Sequence, residues 1–155
     1  MTTGIVIIAH APLAGALERC VEHVYTCEPD LAKANLRALD VEPGADFETL
    51  VERAARLIAE VDRGAGVLVL TDAFGATPGN VAARLGVPGR VAVVAGVNLP
   101  MLLRAVCYRG NSVVELAEKA LAGGQQGMMQ VTSTPVQNQG YKSQGNDYQR
   151  LHNQQ

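Results

Sequence analysis

The chain is predicted to fold as an α/β domain with a doubly wound, mainly parallel four-stranded sheet and helices on both faces. Three observations carry this. Strand-like and helix-like segments alternate from Gly4 to about Gly124, and such alternation calls for parallel strands joined by crossover helices. The strand segments are unbroken apolar runs, as expected where both faces of a sheet are covered. Two of those runs stop in turn-forming residues that carry chemistry, one at His10 and one at Asp72. In open α/β sheets ligands bind outside the carboxyl ends of the strands.

The elements follow in order. Gly4 to Ala9 is an apolar, largely β-branched run that ends at His10 before Ala11-Pro12, which reads as a buried first strand. Leu13, Leu17, Cys20/Val21 and Val24 keep helical spacing. Leu36 to Val41 is a short second strand. Asp46 can cap the next helix, whose stripe is Phe47, Leu50/Val51, Ala54, Leu57/Ile58 and Val61, with Gly64 as its stop. Val67 to Thr71 is the third strand. Thr77-Pro78 has the form of an N-cap followed by Pro at the first helical position, with Val81, Ala82 and Leu85 behind it. Val91 to Ala95 is the fourth strand. Asn98-Leu99-Pro100 opens a helix carrying Met101, Leu102, Ala105 and Val106. Ser112-Val113-Val114-Glu115 fits a capping box, and the last helix is expected to end at Gly123-Gly124.

After Gly124 the composition changes. Met128 to Thr132 has the character of one more short strand, and 133–155, rich in Gln and Asn, reads as a mobile polar tail. The expected organisation is therefore a folded domain over 1–124, a candidate exchanged strand over 125–132 and the tail.

Composition narrows the function classes. Of 155 residues, 48% are apolar, enough for one domain with a proper core. A net charge of −2, no basic run and 4% aromatics argue against a nucleic-acid partner. No apolar stretch approaches the ~20 residues of a membrane span, and the N-terminus lacks the pattern of a signal peptide. A soluble cytoplasmic protein is expected. Cys20, Cys27 and Cys107 show no C-x-x-C spacing and are expected as buried thiols, with no metal site.

Three segments carry chemistry. His10 can be a packed structural histidine or a nucleophile: imidazole titrates near 6.5, so a neutral ring nitrogen is available at pH 7. Asp72 is the candidate partner, fixing the tautomer and stabilising a cationic ring. Asp72-Ala-Phe-Gly-Ala-Thr-Pro-Gly-Asn80 is either an ordinary βα loop or an anion site. In the second reading Gly75 lets the backbone approach closely, Thr77 supplies a hydroxyl and the helix after it aims free N–H groups at the rim. Gly96-Val97-Asn98-Leu99-Pro100-Met101-Leu102 has no catalytic side chain, and Asn98, Pro100 and Met101 are expected to form a pocket wall or a docking surface. His23, within the first helix, and His152, in the tail, are expected to be bystanders. There is no G-x-x-x-x-G-K-[ST] loop, G-x-G-x-x-G fingerprint or G-x-S-x-G elbow.

Together these three segments, spread over about Gly4 to Gly124, resemble the enzyme IIA of the mannose-type family of the bacterial sugar phosphotransferase system. The resemblance implies a phosphotransferase in which His10 accepts a phosphoryl group from the histidine phosphocarrier protein HPr and passes it to a IIB protein. It implies that Asp72 orients His10, and that Gly75, Ala76 and Thr77 hold phosphoryl oxygens, with no cofactor. Ala76 stands where the family usually has a second glycine, and Ala11 where glycine is common. The resemblance further implies a homodimer joined by a short C-terminal strand, for which Met128 to Val131 is the match. The IIB partner would be a separate chain, and contact with membrane would be indirect, through a permease complex. The same chemistry would serve a regulatory phosphoprotein that moves no sugar. A nucleotide- or metabolite-binding α/β module without a covalent step is the remaining alternative. The sugar is not written in this chain.

Overall fold

A computed structural model describes residues 1–26 and 35–131. The elements run β1 (Gly4–His10), α1 (Leu13–Val24), β2 (Leu36–Val41), α2 (Phe47–Val61), β3 (Val67–Thr71), α3 (Thr77–Arg84), β4 (Val91–Ala95), α4 (Leu99–Tyr108) and α5 (Val113–Gln126). The four strands form one sheet in the order β2-β1-β3-β4, every pair parallel. The predicted fold class is therefore the observed one.

β1 is the centre of the molecule. Its side chains alternate across the sheet, so Ile5, Ile7 and Ala9 enter one apolar layer and Val6 and Ile8 the other. The first layer is closed by Ala14, Leu17 and Val21 of α1, Leu102 of α4 and Leu116 of α5. The second is closed by Leu50, Ala54 and Val61 of α2 and Val81 and Ala82 of α3. Ile5, Ile7 and Ile8 are fully buried, each worth about 1.5–3 kcal/mol of apolar burial. The chain winds from β1 to β2 on one side and then returns to β3 on the other. The reversal of direction lies between β1 and β3, where a crevice opens at the carboxyl ends.

Local signals in the sequence place most helix starts. Asp46 accepts from the Thr49 N–H at 2.9 Å and Asn98 from the Met101 N–H at 2.9 Å. Ser112 and Glu115 form the reciprocal capping box. α2 ends at Val61, with Asp62 turning the chain by accepting from the Gly64 and Gly66 N–H groups.

Several expectations are corrected. The last helix does not end at Gly123-Gly124; it runs through both glycines to Gln126. A Cβ on Gly123 would lie 2.6 Å from Arg104 Cβ, and one on Gly124 2.7 Å from Met101 Cε. The pair is a contact surface where α5 presses on α4, and that close approach outweighs the modest helical cost of glycine. Thr77 is the first residue of α3 rather than its cap; Ala76 occupies the cap position and makes no side-chain bond. Cys20 and Cys107 are exposed, not buried: α1 buries Ala14, Leu17 and Val21, which turns Cys20 off the apolar stripe. Cys27 lies outside the described residues. Residues 128–131 form no strand within this chain, and Met128, Met129 and Val131 are exposed. Thr132 and the tail 133–155 lie outside the described residues. Among the described residues no helix is long and apolar enough to cross a membrane.

Candidate functional site

β1 and β3 are hydrogen-bonded neighbours in register, Ile8 opposite Thr71. Each delivers its next chemical residue to the same rim. The ring Nδ1 of His10 lies 2.8 Å from Asp72 Oδ2, and the His10 backbone N–H donates to the same oxygen at 3.0 Å. The other carboxylate oxygen accepts from the Ala73 N–H at 2.8 Å. Partial burial pushes the Asp72 carboxyl upward, but the hydrogen bonds from the His10 backbone and ring and from Ala73, with the charge of His10, hold it below the ordinary carboxylate range. Asp72 is therefore an anion at neutral pH and can only accept. Nδ1 must carry the ring hydrogen, and the lone pair of a neutral His10 sits on Nε2. The His10 side chain is 53% exposed against 15% for Asp72. A fixed carboxylate behind an open ring nitrogen is the geometry of a nucleophile with its orienting group.

The loop from Asp72 to Thr77 is shaped by Gly75 and by Gly79 and Asn80 of α3. Gly75 has φ +82°, a conformation that side chains other than glycine rarely adopt. Asn80 Nδ2 donates to the Gly75 carbonyl at 3.3 Å, tying the loop to α3. A Cβ on Gly79 would lie 2.6 Å from the Ala73 carbonyl oxygen, so the first turn of α3 packs directly beneath the loop. A cleft of about 250 Å³ lies in front of the histidine, lined by His10, Ala11, Thr77 and the 41–45 segment.

That segment, Val41-Glu42-Pro43-Gly44-Ala45, was missed in the sequence. β2 lies beside β1 with Val41 paired to His10, so the turn after β2 forms the opposite wall. Pro43-Gly44, just past the end of the second strand at Val41, was its signal. The structure brings His10, Asp72 and Thr77 to one rim and puts Ala76 at the base of α3. Gly75 and Phe74 face a second hollow, beside β4. Asn98, Pro100 and Met101 do not line the His10 cleft. Asn98 caps α4 and donates to the Gly124 carbonyl at 3.2 Å, Met101 is buried, and Pro100 lines a groove between α4 and α5. The physical reason is strand order: β3 separates the β4 loop from β1. That loop contributes through its backbone instead, since the Gly96 N–H donates to the Asp72 carbonyl at 3.1 Å and the Val97 N–H to the Thr71 carbonyl at 2.9 Å. His23 is exposed on α1, and His152 lies outside the described residues. Among the described residues no cluster of three or more histidine, cysteine or acidic side chains could hold a metal ion.

The family model described as "PTS system fructose IIA component" matches residues 4–122. The chain is 34% identical over 140 residues to the mannose-specific EIIAB component of Escherichia coli K12, covering 88% of this chain and 42% of that protein. It thus spans about two fifths of the length of these first curated relatives. It is 33% identical over 111 residues to the sorbose-specific EIIA component of Lacticaseibacillus casei, covering 71% of this chain and 76% of that one. Among solved structures it resembles the mannose/sorbose-specific IIA subunit from Enterococcus faecalis, with a TM-score of 0.75, 23% identity and coverage of 88% of this chain and 99% of that one. This last likeness speaks for the fold.

Proposed function

The chain belongs to the mannose-type enzyme IIA family of the sugar phosphotransferase system, and from that premise we propose that His10 takes a phosphoryl group from HPr and hands it to a separate IIB protein. The observation that supports this most is the short bond from a half-exposed His10 ring to an anionic Asp72. Nε2 of His10 attacks phosphorus as the N–P bond on the donor imidazole breaks, and the donor ring keeps the electron pair. The transition state is loose and metaphosphate-like, so catalysis rests on alignment and charge. The positive charge that develops on the His10 ring is balanced by Asp72. The Thr77 hydroxyl and the backbone N–H groups of Ala76 and Thr77 hold phosphoryl oxygens, using the free donors at the start of α3, and Gly75 serves by the positive φ that turns the loop. Transfer to IIB is the same step in reverse geometry. A cytoplasmic location beside HPr follows from this reading, and contact with a membrane runs only through the permease that IIB serves.

We also propose that the chain is a homodimer in which Met128 to Val131 pairs with a partner's sheet. β4 is an edge strand whose outer side is bridged within the described residues at Val91, by Val87, Met128, Met129 and Val131 are exposed, and an open edge favours strand addition.

The deciding experiment is transfer from phosphoenolpyruvate through purified enzyme I and HPr. One acid-labile, base-stable phosphoryl group per subunit is expected. His10→Ala should abolish it, while His23→Ala and His152→Ala retain it. Labelling that survives in His10→Ala refutes the assignment.

A further inference from the structure

Glu42 stands on the wall of the cleft opposite Thr77, one residue after the Val41 that pairs with His10. It is the single carboxylate among the residues that line this cleft, and no lysine or arginine lines it. Among the described residues no ion pair engages Glu42. Its backbone is held in place, because its carbonyl accepts from the Ala45 N–H at 3.2 Å and closes the turn. A phosphoryl group on Nε2 would bring a further charge of about −1.5 to −2 into this cleft of about 250 Å³, which Glu42 also lines. Asp72 is occupied by three hydrogen bonds; Glu42 is not. The two residues therefore act in opposite senses: Asp72 stabilises a cationic ring, and Glu42 repels the group that the ring carries.

We propose that Glu42 is a specificity-determining residue that raises the transfer potential of phospho-His10 and favours partners that bring a cation to the rim. This rests on the phosphoryl-carrier reading above. For a separation on the order of 8 Å in water, repulsion between Glu42 and a phosphoryl dianion shifts an equilibrium about three- to fivefold. The carrier is thereby less loaded at balance with its donor and hands on its group more readily. A lysine or arginine from a docking protein, placed between Glu42 and the phosphoryl group, would relieve the repulsion only while that protein is bound.

The test measures the equilibrium constant for phosphoryl exchange between HPr and the full chain at low ionic strength. Glu42→Gln should move it about three- to fivefold towards phospho-His10, and Glu42→Asp should stay near wild type. In 1 M salt, where the screening length falls to about 3 Å, the Glu42→Gln shift should shrink towards unity. An unchanged constant at low salt, or a shift of equal size in 1 M salt, overturns the proposal. Phosphoramidate, a small phosphodonor, gives an arm that needs no protein partner. Glu42→Gln should load His10 two to three times faster than wild type at low salt, and equal rates count against the proposal. If phospho-HPr fails to label wild type while this phosphoramidate difference is present, the carrier reading fails and the role of Glu42 stands.

Discussion

Replacing Asp72 with asparagine separates charge from shape at the centre of the site. In the native protein both carboxylate oxygens are acceptors: Oδ2 takes the His10 backbone and ring N–H groups, and Oδ1 takes the Ala73 N–H. An amide has one oxygen. If that oxygen faces His10, the amide nitrogen meets the Ala73 N–H, donor against donor. If the amide is turned over, its nitrogen meets His10, the ring hydrogen is driven to Nε2 and the nucleophilic lone pair is lost. The first orientation leaves the tautomer correct but removes the anion behind the ring. A hydrogen bond to a charged group is worth about 1.5–3 kcal/mol, so transfer should slow by about 10- to 100-fold. The mismatched donor should also cost about 1–2 kcal/mol of stability. Quenched-flow transfer from phospho-HPr and thermal unfolding measure the two effects. Transfer within twofold of wild type, in a folded protein, would show that Asp72 is a structural cap on β1 and nothing more. The pH dependence adds a control. The folded-state Asp72 carboxyl lies below its ordinary value of 3.8. Its stabilisation is thus fully present above the unfolded value and is lost as pH falls through the folded one. The stability gap between wild type and Asp72→Asn should close on acidification below that range and stay open above it.

Three further outcomes are expected. Asn98→Ala removes the cap on α4 and the bond to Gly124; it should cost about 1–2 kcal/mol, a fall of several degrees in Tm by calorimetry, with phosphorylation of His10 retained. Thr71 Oγ1 is buried without a hydrogen-bond partner, so Thr71→Val, nearly isosteric, should raise stability by about 1 kcal/mol in denaturant titration. Ending the chain after Pro135 should leave a dimer by light scattering, whereas ending it after Gly127, just past α5, should give monomers; a stable dimer in both would move the interface to helix faces.

What could be read from sequence divides along a physical line. Signals that act within a few residues were legible: the apolar runs of the four strands, the caps at Asp46, Asn98 and Ser112, and the placing of His10 and Asp72 at strand ends. Features set by remote contact were not. Gly123 and Gly124 look like a helix stop because glycine is a poor helix former, and only the Arg104 and Met101 side chains beside them show that they are a packing surface. Asn98, Pro100 and Met101 were legible as a helix start but not as lying away from the cleft, since that depends on β4 sitting beyond β3. The 41–45 wall was hidden for the converse reason: only the pairing of β2 with β1 carries it to His10. Cys20 shares helical spacing with Val21, and which of the two turns inward is decided by the exact rotation of α1 on the sheet.

The bond of Asp72 Oδ2 to both the main chain and the ring of His10 has a kinetic meaning. A ring anchored to the same atom as its own backbone cannot swing on its side-chain torsions without breaking that bond. In the proposed transfer the phosphoryl group would therefore be received and surrendered at one point in space, with the sheet as a rigid mount. A donor and an acceptor that both need that point cannot be seated together. They would have to alternate, and turnover between them would take the form of ping-pong kinetics, with the two phosphoproteins competing for the unphosphorylated carrier and the two dephosphorylated partners for the phosphorylated one.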